Sequence, residues 1–188
     1  MVAQTVTFPG GQWQLAGRDG VCGLTLLGEM NDGAVRRSYA VLQAAEDAGC
    51  AVRTLGVQTR GGTVGSAVTL GAMVRNRGLD TALVPGAWCD TPCLLVLAAG
   101  VQRRVPEHPQ PARLVFTQIP PDADFGQQRC ATELSRAQQL TLTRYLRAML
   151  PQDTAATIYQ RLASADCRES VIWSPLQTLA ADLATTVR

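Results

Sequence analysis

The chain has 188 residues, 46% of them hydrophobic and 17% charged, with a formal net charge of +2. That balance supplies a sizeable core and predicts one domain over 1–188. Basic residues form no cluster longer than the pairs Arg36-Arg37 and Arg103-Arg104, which excludes the electrostatic footprint of a nucleic-acid or anionic-membrane binder.

In chain order, residues 1–21, which contain F-P-G-G-Q, predict a hairpin or irregular cap. C-G-L-T-L-L-G (22–28) reads as a buried strand closed by the turn M-N-D-G. Residues 34–49 place Val35, Tyr39, Leu42 and Ala45 at helical spacing, with Gly49 just past the end. A second strand is predicted over 51–58, a turn at T-R-G-G (59–62) and a helix over 63–78. A third strand follows over 79–86, then a short buried helix over 91–100 with Pro92 in its first turn, where a missing N–H does no harm. The last strand is P-A-R-L-V-F-T-Q (111–118). Residues 126–164 predict a long helical region broken at Pro151, and 165–188 a mixed tail, so that 126–188 forms a helical C-terminal part. Strand and helix alternate at the spacing of right-handed βαβ units, which predicts an α/β fold with a mostly parallel sheet.

Six cysteines, at 22, 50, 89, 93, 130 and 167, are too widely spread for the C-x-x-C pairs of a zinc site. No metal and no cofactor is expected. All seventeen basic residues are arginine and none is lysine, a bias that GC-rich coding explains without a mechanism. No apolar stretch reaches the roughly 20 residues of a membrane span. M-V-A-Q-T-V-T-F-P-G-G has neither the basic nor the apolar region of a signal peptide. The expectation is a cytoplasmic protein, or an exported one starting at its mature N-terminus with an added Met1.

In parallel α/β sheets the working residues gather where strands end and helices begin, because helix N-termini present free N–H groups. Two such junctions stand out, T-R-G-G-T-V-G-S-A and W-C-D-T-P-C-L-L. The succession R-G-G-T-V-G-S-A-V-T-L-G-A-M-V-R-N-R-G, then V-P-G-A-W-C-D-T-P-C-L-L-V-L-A-A-G, then A-R-L-V-F-T-Q resembles the Clp protease proteolytic subunit superfamily, within the ClpP/crotonase fold. It is nearest to the periplasmic ClpP-like branch, over roughly 22–118 and more loosely to the C-terminus.

The resemblance implies a spiral of βαβ units and serine-peptidase chemistry, with a serine between two cysteines, a histidine base on the following strand and an oxyanion cradle of backbone N–H groups. Carried across, the serine position is Thr91, between Cys89 and Cys93, and the base position is Thr117, or Gln118 if the register slips. The cradle positions are Gly61, Gly62 and Pro92. Threonine and glutamine accept no proton near neutral pH, so a hydroxyl at 91 lacks its base. Pro92 has no N–H, and loss of one oxyanion donor costs on the order of 10²- to 10³-fold in turnover. The chain's single histidine, His108, lies in a proline-rich stretch expected to be exposed. The motif reads as a nucleophile site kept in outline and disabled in substance.

Cys89 and Cys93 are expected to form a local disulfide or to be two buried thiols, and Cys130 and Cys167 to tie the long helix to the tail. Cys22 and Cys50, flanking the first helix near opposite strand ends, are expected in the core. Asp80 and Asp90 are metal or acid candidates by residue type, but isolated at strand and helix boundaries they read as caps or turn formers. Trp88 either walls a pocket or packs, and Arg60 either binds a carboxylate, fills the cleft or is solvated.

The leading expectation is a catalytically inactive ClpP-like binding or assembly protein of the periplasm. It would be a homo-oligomer, working with a further protein partner. Leu134, Leu140, Leu142, Tyr145, Leu146, Met149 and Leu150 would supply either the oligomer interface or intradomain core. The rival is an active hydrolase or acyl-binding enzyme of this fold that uses Thr91.

Overall fold

A computed structural model describes residues 1–117 and 133–188. Gln118, Cys130 and the start of the region expected to be helical from 126 lie outside the described residues.

The chain opens with a hairpin, in which β1 (Val2–Phe8) and β2 (Gly11–Arg18) pair antiparallel around Pro9-Gly10. Gly10 has φ +95°, a left-handed conformation that only glycine adopts freely in so tight a turn. β3 (Val21–Met30) runs antiparallel to β2. Crossovers then begin: α1 (Asp32–Asp47), β4 (Ala51–Gly62), α2 (Val64–Asn76) and β5 (Asp80–Leu83). β3, β4, β5 and the two-residue β7 (Arg103–Arg104) are parallel, in the sheet order β1-β2-β3-β4-β5-β7. A helix between strands brings the chain back to the same sheet edge, and this allows the parallel pairing.

Caps set the helix ends. The Asn31 side chain accepts the Ala34 N–H and that of Thr63 accepts the Ser66 N–H, each satisfying a first-turn donor. Gly49 and Gly78, both at φ +63°, turn the chain out of α1 and α2. The buried stripe of α1 is Ala34, Ser38, Val41, Leu42 and Ala45. Tyr39, expected inward, is 67% exposed. Small residues at 34 and 38 bring the helix close to the sheet, where Trp13 Nε1 donates to the Ala34 carbonyl at 2.8 Å.

T-R-G-G is not a turn, because β4 continues to Gly62, which pairs with Met30. A Cβ at Gly62 would run into the Met30 carbonyl, so glycine is what lets the strands stay together. Cys22 and Cys50 lie in the core as expected, and they are joined by a disulfide that was not expected, with Cα atoms 5.7 Å apart. In a parallel crossover both strands start at the same edge, and Val21 pairs with Ala51 beside them.

α3 (Thr91–Ala98) is apolar all round and every one of its residues is buried. A helix without a polar face must lie inside the protein, and α3 lies against α2, β4 and β5. It follows β6 (Trp88–Cys89), which forms a smaller sheet with β8 (Arg113–Phe116) and β9 (Val171–Trp173) in the order β6-β8-β9. α4 (Arg136–Met149) and α5 (Gln152–Ala163) meet at Pro151, and α6 (Pro175–Ala180) follows β9. Leu142, Tyr145, Leu146, Met149 and Leu150 join the core, whereas Leu140 is 49% exposed. Most of that apolar surface is therefore intradomain. No helix among the described residues is long and apolar enough to cross a membrane.

Candidate functional site

The two junctions singled out in the sequence meet in space. At the end of β4, the Gly61 N–H donates to Asp90 Oδ2 at 2.6 Å, and Asp90 is the residue on which α3 begins. Gly61 needs its φ of +73° to turn that N–H across the gap. The other carboxylate oxygen, Oδ1, is buried with no hydrogen-bond partner among the described residues. Burial raises the Asp90 carboxyl above its ordinary range, while the N–H groups of Gly61, Cys93 and Asp90 itself, and then the Arg60 charge, pull it down.

Thr91 is fully buried, and its hydroxyl donates to the backbone carbonyl of Thr117 at 3.2 Å. The contact fastens the start of α3 to the end of β8. Pro92 occupies the first turn of α3 and offers no N–H. Cys89 and Cys93 form a disulfide around Thr91, Cα atoms 5.1 Å apart, and both are fully buried. Arg60 lies over the Trp88 ring, 5.8 Å from its centroid, so its guanidinium rests on a half-exposed aromatic face. A cleft of about 430 Å³ runs beside Arg60 along the ends of β3 and β4, lined by Gly10, Leu27, Gly28, Glu29 and Gln58. Thr91 does not line it.

The sequence matches no protein-family model and no curated relative. In structure the chain is similar to a serine-to-alanine variant of the 1510-N membrane-bound stomatin-specific protease. The TM-score is 0.62 at 13% identity, over 89% of this chain and 78% of that one. A lysine-to-alanine variant of that protease in complex with a substrate peptide gives 0.61 at 12%, over 89% and 74%. A probable enoyl-CoA hydratase of Mycobacterium tuberculosis gives 0.59 at 9%, over 94% and 74%. The chain has the ClpP/crotonase fold.

Within this ClpP/crotonase framework, the backbone carbonyl of Thr117 receives the Thr91 hydroxyl, and a carbonyl takes up no proton. His108 is exposed, and the chain contains no other histidine and no lysine. The Gly62 amide lies where β4 pairs with Met30. Asp80 accepts the Gln102 N–H at 3.1 Å and pairs with Arg104 at 3.5 Å, a loop-fastening role. No cluster of three metal-binding side chains exists among the described residues. Cys167 has no free thiol, while Cys130 and Gln118 lie outside the described residues. Sequence reasoning undervalued Asp90. It is a cap by position, but the hydrogen bond its side chain makes is to Gly61, while the Cys93 N–H of its own helix lies near enough only to pull its pKa down. The available signal was an acid directly before the hydroxyl and in the same junction as the glycine pair.

Proposed function

We propose that this chain is a catalytically inactive ClpP-like pseudo-peptidase that acts by binding or assembly in the cell envelope. One observation carries the reading: the Gly61 N–H, the donor an oxyanion would need, is already held by the Asp90 carboxylate. A carbonyl oxygen entering there would meet a carboxylate instead of a free N–H, and developing negative charge would be repelled. The buried Thr91 hydroxyl and the missing N–H of Pro92 argue the same way.

Two disulfides support an oxidising compartment, and the periplasm is the proposed one. The proposed working form is a homo-oligomer of a single ClpP-like domain with a further protein partner. A similar protease is in complex with a substrate peptide, and an extended protein segment is the class of ligand we assign here.

The test is a fluorophosphonate probe applied beside fluorogenic peptide and acyl substrates. No labelling and no turnover are expected. Labelling at Thr91 overturns the reading in favour of a hydrolase.

A further inference from the structure

Among the described residues β1 pairs with β2 alone, so one long side of its backbone has no strand beside it. We propose that this edge pairs antiparallel with β1 of a second copy of the chain, joining two six-stranded sheets into one. The inference gives a surface to the self-association proposed above and is independent of the state of Thr91.

Strands that stay unpaired at a sheet edge are usually blunted by charge, proline, a bulge or short length. β1 has none of these devices. V-A-Q-T-V-T-F contains no charged residue and no proline, and its register with β2 is unbroken from Val2 to Phe8. The opposite edge of the same sheet is managed differently: β7 has two residues, both arginine, and Thr186 bridges to Arg104 from the C-terminal tail. The open edge of the smaller sheet, β9, has three residues.

The hairpin also fixes which groups point outward. The turn Pro9-Gly10 is closed by the pair Phe8 and Gly11, so Phe8, Val6, Gln4 and Val2 exchange backbone hydrogen bonds with β2. Ala3, Thr5 and Thr7 turn theirs away from it. A twofold axis through Thr5 brings each outward N–H of one copy to an outward carbonyl of the other: Thr5 meets Thr5, and Ala3 meets Thr7. In this register Val2 faces Phe8 on the side covered by α1, and no charged side chain of β1 meets its copy. A cleft of about 400 Å³ lies at this edge, lined by Phe8, Pro9 and the α1 residues Gly33, Arg36, Arg37 and Ala40. The Val2 end of a second copy approaches it.

Sedimentation velocity of the full chain at tens of micromolar tests this. The wild type is expected to be a dimer. Thr5→Pro removes an N–H that the β1–β2 ladder does not use, and Thr5→Lys sets two ammonium groups face to face at the axis. Each is expected to weaken Kd by about a hundredfold or more with circular dichroism unchanged. Thr5→Val keeps the dimer. A dimer that survives both weakening variants overturns the inference while leaving self-association standing, above all if Leu140→Glu abolishes it. A wild type that stays monomeric overturns both.

Discussion

The Asp90 carboxylate holds the Gly61 N–H at 2.6 Å across 29 residues of chain, and it does so at the position we propose as the equivalent of an oxyanion donor. Replacing Thr91 by serine and Pro92 by alanine is therefore insufficient to restore chemistry. The double variant T91S/P92A regains a primary hydroxyl and an N–H, yet it still lacks a base and keeps the donor blocked. It is expected to remain unlabelled by a fluorophosphonate in an intact-mass assay. Labelling comparable to that of an active serine hydrolase means that the carboxylate is displaced by substrate.

Asp90 also makes a pH prediction. Its folded-state pKa is raised chiefly by burial, so the folded protein binds this proton more tightly than the unfolded chain. The protonated carboxyl's contribution to stability is full below the ordinary carboxylate range and is lost as pH rises through the raised folded value. Asp90→Asn keeps an oxygen for the Gly61 N–H and removes the buried charge. It is expected to melt a few degrees above wild type at about pH 7, with the gap closing as pH falls to about 4. Thermal unfolding across that range checks it, and a gap that widens on acidification refutes the assignment.

Much of the fold was legible because β3, β4 and β5 alternate with amphipathic helices ended by Gly49 and Gly78, and such periodicity is a local property. β6 and β7, at two residues each, are too short to carry any period. The Cys22–Cys50 pairing was missed because it depends on strand direction, a tertiary property. The reach of Asp90 was missed for a related reason: a cap position fixes where the backbone lies, and the side chain's partner is set by how β4 passes α3. The start of α3 at Thr91 was legible because proline fits a helix's first turn, where Pro92 lies.

The Cys22–Cys50 and Cys89–Cys93 disulfides should differ in what they contribute. Cys22 and Cys50 are 28 residues apart and Cys89 and Cys93 only 4. Chain-entropy reasoning gives about 3.5 kcal/mol for the first and about 2 kcal/mol for the second. Denaturant unfolding of C22S/C50S and C89S/C93S is expected to rank the first as the larger loss. Equal losses would show that the short loop around Thr91 stabilises the native state by more than chain entropy.

Tyr145 ties α4 to the buried helix: its hydroxyl donates to the Leu95 carbonyl at 2.6 Å. The hydroxyl passes Gly71 of α2 so closely that a Cβ there would overlap it. Burial holds the phenol far above its ordinary range, so it remains a donor at any working pH. Tyr145→Phe is expected to cost about 1–2 kcal/mol by leaving a buried carbonyl unpaired. Gly71→Ala should cost more, about 2–3 kcal/mol, because it displaces the ring as well as the bond. Urea unfolding of the two variants measures the order, and a neutral Gly71→Ala would mean that α4 can shift freely.

One buried guanidinium gathers carbonyls of the C-terminal tail. Arg103 donates through Nε to the Leu183 carbonyl at 2.6 Å, through Nη1 to that of Gly100 at 3.1 Å and through Nη2 to that of Asp182 at 3.2 Å. Its backbone accepts from Thr185 and Thr186. Burial lowers the Arg103 pKa, yet a guanidinium starts so high that it stays charged at neutral pH. Lysine carries the same charge but no planar fork, so Arg103→Lys can satisfy only part of this set. The expected result is a loss of about 2–3 kcal/mol and faster amide exchange at 183–186, with β3 and β4 protected as in wild type. Were exchange to quicken uniformly across the sheet, Arg103 would be holding the whole core together and not only the tail.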